Sequence, residues 1–243
     1  MHLCSNLVIV SCVILSAHAQ QKLAKHILKG YFKEGKPSVG VIDVKVRMDA
    51  YQILQVLEPR QQVTLNMWFV ETWVDELLYW DPEKWDNVTK IYLHHRAVWR
   101  PDTVLYNSNT GEGGTVREMQ HVTLEHDFSI NATVVQLMYP AICSFGCRMD
   151  ATFFPFDTQN CTMKIGSWSG DVTGLNYQVD QEDVRQGDFL EHDIWRVASF
   201  KGYRHVDDFE DLPRPYVVLH YHLVMKRRPL FYLVNLVRVW QNQ

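Results

Sequence analysis

Alternation of apolar and polar residues dominates this chain from Val41 onward. Val41–Met48 and Gln62–Phe69 place an apolar residue at every second position, a period that fits strands with one buried face. Only Gln20–Tyr31 has helical spacing, with Gly30 as its predicted stop. Turn-rich pieces separate the strands, so we predict an all-β protein, an immunoglobulin-like twisted antiparallel β-sandwich with one N-terminal α-helix. Further strand-like runs are Lys90–Leu93, Thr103–Tyr106, His121–His126, Thr133–Met138, Cys161–Trp168, Ile194–Ser199 and Tyr216–Met225.

The composition of the 243 residues excludes several classes of protein. Hydrophobic residues make up 47% and charged residues 21%, and the net charge is −4. That balance gives no electrostatic support for nucleic-acid binding. Eight Trp, eleven Tyr and eleven Phe exceed what a core requires, which indicates that some rings line a site. Because the chain contains no P-loop, GxSxG or HExxH sequence, we do not predict an enzyme.

Two pairs of histidines have the residue type that metal sites use. They are His94 with His95 and His220 with His222. A strand places His220 and His222 on one face, but no third ligand is spaced along the sequence to complete a zinc site. We therefore predict no metal and no cofactor.

Residues 1–19 have the organisation of a secretory signal peptide. The apolar run Leu7–Leu15 is too short to span a bilayer, and a small-residue cleavage site follows it at Ala17-His18-Ala19. Cleavage would remove Cys4 and Cys12 and leave three cysteines in an oxidising compartment. Three N-glycosylation sequons agree with secretion, at Asn87, Asn131 and Asn160.

The strongest local signal is the segment from Cys147 to Cys161. It holds the stiff run Phe154-Pro155-Phe156-Asp157 near its middle. A disulfide closing a loop of about 15 residues would stabilise the fold by roughly 3 kcal/mol in the chain-entropy model. An ordinary structural disulfide is one interpretation, but the spacing and the sequence of the loop are more specific than that.

With this segment, the sequence resembles the Cys-loop, or pentameric ligand-gated, receptor subunits, and among them the nicotinic acetylcholine receptor type. The resemblance covers residues 20–229, which we expect to form one ligand-binding domain. Five further motifs stand in the family's order: Trp68-Phe-Val-Glu-Thr-Trp73-Val-Asp75 with Trp80-Asp-Pro82, Trp99-Arg-Pro101-Asp102-Thr-Val-Leu-Tyr106-Asn107, Pro140-Ala-Ile142, Gly166-Ser-Trp168 and Met225-Lys-Arg-Arg-Pro229-Leu-Phe-Tyr.

The resemblance implies a disulfide between Cys147 and Cys161 and assembly with other Cys-loop subunits into a homo- or hetero-pentamer. It also implies agonist sites between subunits for a small cationic ligand such as acetylcholine. A quaternary ammonium has no hydrogen-bond donor, so aromatic faces replace its water. The resemblance assigns Tyr106, Trp168, Phe209 and Tyr216 to the principal face, and Trp68, Gln136 and Met138 to the complementary face.

The sequence departs from the family pattern in the third loop of the principal face and just before the Cys-loop. Asp211 and Leu212 stand where α-type subunits carry two adjacent cysteines, so the chain resembles a non-α subunit and its principal face is in doubt. This favours the complementary role. Cys143 stands at a usually non-cysteine position, where it is either a buried free thiol or part of an unusual bridge.

A second set of residues is expected to couple ligand binding to the channel. In the family, acidic and basic residues at the positions of Glu58 and Arg228 pair near the membrane, close to the tip of the Cys-loop with Pro155 and Asp157. The alternative is a set of exposed charges that contribute little.

Residues 230–243 are expected to be either the truncated start of a first membrane segment or a divergent tail. The leading hypothesis is a receptor subunit on the extracellular side of a synaptic plasma membrane. Membrane association would then come from partner subunits or from a missing C-terminal region. The alternative is a secreted, soluble transmitter-binding protein of the same fold, with no channel of its own.

Overall fold

The computed structural model describes residues 20–109, 114–115, 121–230 and 232–234. A helix, α1, spans residues 20–27, and 3-10 turns span Glu58–Arg60, Glu76–Leu78, Pro82–Lys84 and His95–Ala97. The strands are β1 Ile42–Leu57, β2 Gln62–Asp75, β3 Lys90–His94, β4 Thr103–Leu105, β5 Gly114–Thr115, β6 His121–Asp127, β7 Ala132–Gly146, β8 Thr158–Ser167, β9 Leu175–Val179, β10 Trp195–Asp207 and β11 Tyr216–Arg227.

The strands form two sheets that enclose one continuous hydrophobic core. The seven-stranded sheet has the order β3-β6-β7-β2-β1-β9 with β5 paired to β7, and the four-stranded sheet has the order β10-β11-β8-β4. Alternate residues of β1 and β11 point into the core, as their sequence period predicts. The inward series are Ile42, Val44, Val46 and Met48 in β1, and Leu219, Tyr221, Leu223 and Met225 in β11. The predicted β-sandwich is confirmed.

Helix α1 is shorter than its sequence pattern indicated. Leu23 and Ile27 are buried against the sandwich, so tertiary packing secures its apolar face. The helix ends at residue 27, and Gly30 follows with a φ of 80°, a left-handed conformation that glycine adopts without strain.

Several strands differ from the sequence expectation, among them β7 and β9. Strand β7 continues through Pro140 to Gly146, because β2 pairs with it along its whole length, from Asp75↔Thr133 to Gln62↔Gly146. Strand β9 was not predicted. It has five residues and pairs in parallel with the start of β1, so a partner distant in sequence defines it.

The two ends of the chain lie largely outside the described residues. The predicted signal peptide, residues 1–19, and residues 235–243 are among those the structure does not describe. A helical turn begins at residue 230, directly after Pro229. Within the described part of the chain, no helix has the length and apolar character needed to cross a membrane.

A disulfide joins Cys147 to Cys161, and Cys143 is a free thiol. Cys143 points into the core from β7. Burial raises the pKa of its thiol to about 12.

We expect the Cys143 thiol to react with iodoacetamide at least about a hundredfold more slowly in the folded protein than in guanidinium, because burial limits both access and the thiolate form. Mass spectrometry of alkylated peptides, without reductant, measures the two rates. Equal rates in the two conditions would contradict a buried position for this side chain.

Candidate functional site

Three aromatic side chains form a cluster at one end of the four-stranded sheet. Tyr106 directly follows β4, Phe209 lies in the loop between β10 and β11, and Tyr216 begins β11. The ring centroids of Tyr106 and Phe209 are 6.0 Å apart, and those of Phe209 and Tyr216 are 5.9 Å apart. Both contacts are edge-to-face, a favourable geometry for aromatic rings. The structure therefore brings together three of the four residues assigned to the principal face.

Trp168 is the fourth residue assigned to the principal face, and a hydrogen bond to the backbone of its neighbour connects it to the aromatic cluster. The hydroxyl of Tyr106 donates a hydrogen bond to the carbonyl of Ser167, the residue before Trp168. The Trp168 N–H donates to the carbonyl of Asp102 at 3.2 Å. Trp168 is 73% exposed, which leaves its side chain accessible to an external group.

Asp102 holds the loop that carries Trp168. Its carboxylate accepts hydrogen bonds from the Ser167 hydroxyl, from the Ser169 N–H at 2.7 Å and from the Ser169 hydroxyl at 2.6 Å. This positioning role did not emerge from the sequence, although Asp102 belongs to a motif that was recognised. The structure shows that the Pro-Asp and Gly-Ser-Trp motifs act as one unit.

Gly166 stands where two elements approach closely. A Cβ at this position would lie 2.9 Å from the Val217 carbonyl oxygen and 3.0 Å from the Tyr106 hydroxyl. Any larger residue would push Tyr106 away from the Ser167 carbonyl. The glycine therefore permits the packing that orients the aromatic cluster.

The surroundings of the cluster are acidic. Burial, together with the negative charge of nearby acidic groups, raises the pKa of Tyr106 to about 12, so its phenol stays neutral. Arg214, in the loop between β10 and β11, forms an ion pair with Asp171, with its Nη1 3.1 Å from a carboxylate oxygen of Asp171. These surroundings suit a cationic ligand, because the end of β10 and the loop that follows it carry four carboxylates, Asp207, Asp208, Glu210 and Asp211.

The residues assigned to the complementary face lie on the other sheet. Trp68 in β2 stands opposite Pro140, while Met138 and Gln136 of β7 stand opposite Val70 and Thr72, which alternate with Trp68 along β2. Directly paired residues share a face of an antiparallel sheet, so all three predicted side chains project to the same side. Trp68 is 40% and Met138 52% exposed. They form a second surface, separate from the aromatic cluster.

A buried arginine occupies the opposite end of the four-stranded sheet. Arg227 Nε and Nη2 donate to the two carboxylate oxygens of Asp157 at 2.6 and 2.9 Å, and Nη1 donates to Glu58 at 2.5 Å. The guanidinium also lies 4.2 Å from the ring centroid of Trp195 and 5.0 Å from that of Phe154. Arg227 therefore joins β11, the Cys-loop and the turn after β1.

This arrangement corrects the sequence prediction, which assigned the pairing with Glu58 and Asp157 to Arg228. In the structure Arg228 is half-exposed and pairs with Glu191 at 2.5 Å. Strand alternation explains the difference, because Leu223, Met225 and Arg227 follow one another on the buried face of β11. The same period, extended by one step in the sequence, would have identified Arg227.

The ion pairs maintain the charged forms of Arg227 and Asp157 despite burial. Burial alone would lower the pKa of Arg227, but the hydrogen bonds to Asp157 and Glu58 outweigh burial, so the pKa is raised. Burial alone would raise the pKa of Asp157, but the hydrogen bonds from Arg227 and Gln159 outweigh burial, so the pKa is lowered. Pro155, also predicted to couple, is buried in the same loop after a cis peptide bond from Phe154.

The three glycosylation candidates are all exposed. Asn87 and Asn131 lie in turns with positive φ, and Asn160 lies on the outward face of β8. Each side chain is therefore accessible, and modification at these positions stays a prediction.

The comparisons with known proteins agree with the fold and the motifs. Residues 20–229 match the family described as the neurotransmitter-gated ion-channel ligand binding domain. This range equals the predicted domain.

Curated relatives extend the match across almost the whole chain. The chain is 38% identical to the acetylcholine receptor subunit alpha-type des-2 of Caenorhabditis elegans over 90% of its length, and 38% identical to the betaine receptor acr-23 of the same organism over 90%. It is 37% identical over 91% to the human neuronal acetylcholine receptor subunit alpha-4. These matches cover 40%, 41% and 35% of the relatives, respectively, so the chain spans well under half of their length.

The three relatives carry the names of receptors or receptor subunits, and none has the name of an enzyme. The family match covers the sandwich, the Cys-loop with its disulfide and the aromatic cluster in one continuous range. This chain belongs to the family of neurotransmitter-gated ion-channel ligand-binding domains of the Cys-loop, nicotinic acetylcholine receptor-like type.

Proposed function

We propose that this domain binds a small cationic transmitter at interfaces between subunits and couples binding to the opening of an ion channel. The supporting observation is the cluster of Tyr106, Phe209 and Tyr216, together with the exposed Trp168, whose neighbour Ser167 is hydrogen-bonded to Tyr106. Aromatic faces attract a quaternary ammonium by about 0.5–2 kcal/mol per contact. Acetylcholine and betaine, which occur in the relatives' names, both carry this group.

The arrangement of the two aromatic surfaces supports a site that is completed by assembly. The aromatic cluster belongs to the four-stranded sheet, and the surface with Trp68 and Met138 belongs to the seven-stranded sheet. One copy therefore offers two separate half-sites. In a ring of five subunits, the cluster of one subunit would face the Trp68 surface of its neighbour.

The Arg227 cluster supports a coupling role at the other end of the domain. It lies between the last strand, the Cys-loop and the turn after β1, and the helical turn at residue 230 follows directly. Tyr232 of that turn accepts a hydrogen bond from Arg227 Nη1 at 3.1 Å. A displacement of the Cys-loop would thus reach the segment that enters the membrane in a full-length subunit at the plasma membrane.

The experiment compares two substitutions in protein assembled with an α-type partner subunit. Trp168→Ala is expected to weaken binding of a labelled quaternary ammonium ligand by about 1–2 kcal/mol, roughly 5- to 30-fold, if the principal face is used. Trp68→Ala should have an effect of this size if the complementary face is used. Asp211 and Leu212, in place of adjacent cysteines, favour the complementary face.

Phe32→Ala is the matched control, because Phe32 is an exposed aromatic residue in the segment between α1 and β1, which belongs to neither sheet. Its affinity should equal that of the unmodified protein. Unchanged affinity in both tryptophan variants would reject the aromatic site and make this subunit a structural member of the ring.

A further inference from the structure

Three histidines converge on the outward face of the four-stranded sheet. His205 lies in β10, and His220 and His222 lie in β11. One ring nitrogen of each lies within 4.8 Å of one ring nitrogen of each of the others. The ring centroids of His205 and His220 are 4.2 Å apart, and those of His220 and His222 are 6.4 Å apart. Sequence spacing alone offered no third ligand for His220 and His222, and the hairpin register supplies it.

Polar side chains already orient two of the three rings. His220 Nε2 is 3.1 Å from a carboxylate oxygen of Asp207, and His222 Nδ1 is 2.9 Å from the hydroxyl of Thr162. Each contact occupies one ring nitrogen and leaves the other for a ligand bond. A metal-bound histidine usually makes such a second contact through its other nitrogen.

The cluster is open to solvent on one side, and two charged side chains flank it. His205 is exposed while His220 and His222 are half-buried, so an ion can reach the cluster from solvent. The ammonium of Lys164, opposite His220 on β8, opposes a bound cation, and the carboxylate of Asp207 offsets it.

We propose that His205, His220 and His222 form a binding site for a divalent transition metal, Zn²⁺ in particular. Imidazole nitrogen suits Zn²⁺, whereas Ca²⁺ and Mg²⁺ prefer oxygen ligands. Tetrahedral Zn²⁺ bonds of about 2.0–2.1 Å require ligand nitrogens about 3.3–3.4 Å apart, which small side-chain rotations achieve. Water takes the fourth position.

The position of this site gives it a structural consequence. Zn²⁺ would link β10 to β11, the two strands whose connection carries Phe209. Asp207 stands opposite Tyr216, and His205 is two residues before Asp207, about 7 Å along the strand. The metal would therefore stabilise the hairpin next to the aromatic cluster. The site itself does not depend on the function proposed above.

Isothermal titration of the untagged protein with ZnCl₂ tests the proposal. We expect one equivalent of Zn²⁺ to bind and to raise the melting temperature, with no displacement by millimolar Ca²⁺ or Mg²⁺. His205→Ala and His220→Ala should each lower the affinity more than tenfold, and Asp207→Asn by about 10- to 100-fold. His26→Gln, at an exposed histidine on α1, should leave it unchanged.

Co²⁺ gives a readout that needs no substitution. A tetrahedral Co²⁺ site in the unmodified protein should show intense visible absorption that one equivalent of Zn²⁺ removes. Circular dichroism verifies that each variant is folded. Absence of Zn²⁺ binding, or affinity that is retained in both His205→Ala and His220→Ala, would overturn the proposal.

Discussion

Replacing Arg227 with alanine is expected to lower the free energy of unfolding by about 3–5 kcal/mol. The guanidinium is almost completely buried and holds both oxygens of Asp157, which is itself buried. Without it, Asp157 would remain as an uncompensated charge inside the protein. Glu58 is half-exposed, so water can hydrate its carboxylate once the guanidinium is removed. Urea denaturation followed by tryptophan fluorescence measures the loss.

Arg228→Ala is the matched control, one residue further along the chain. Its partner Glu191 is largely exposed, and such surface ion pairs contribute about 0–1 kcal/mol. The two arginines have the same chemistry and nearly the same position, so the comparison isolates burial. Equal losses for the two variants would show that the Arg227 cluster is not the stabilising element we describe.

The second large effect is expected from removing the disulfide. Cys147→Ser combined with Cys161→Ser should lower the free energy of unfolding by about 3 kcal/mol, because the open loop gains conformational freedom in the unfolded chain. The loop also carries Asp157, the partner of Arg227. We therefore expect the effects of this double substitution and of Arg227→Ala to be less than additive.

Reductant provides the control for the disulfide. Dithiothreitol should destabilise the unmodified protein by a similar amount and leave the double-serine variant unchanged. Cys143→Ala should respond to reductant like the unmodified protein, since Cys143 is free. A double-serine variant as stable as the unmodified protein would contradict a structural role for the bond.

Much of the site could be predicted from the sequence, because its residues belong to recognisable motifs. Tyr106 and Trp168 lie in two motifs, and the structure links those motifs through Asp102. The arginine that pairs with Glu58 and Asp157 was misassigned by one position. Arg227 and Arg228 are adjacent residues of the same type, and only the alternation of inward and outward positions along the strand distinguishes them.

The sequence by itself determined the strand period, the N-terminal helix and the identity of the Cys-loop, because these depend on neighbours close along the chain. Tertiary structure decided which distant strands meet. Strand β9 exists through its pairing with β1, and His205 meets His220 through the register of the β10–β11 hairpin. The register of two strands depends on the hydrogen bonds and the burial of all their residues together. The spacing of residues within a short stretch of sequence therefore does not predict it.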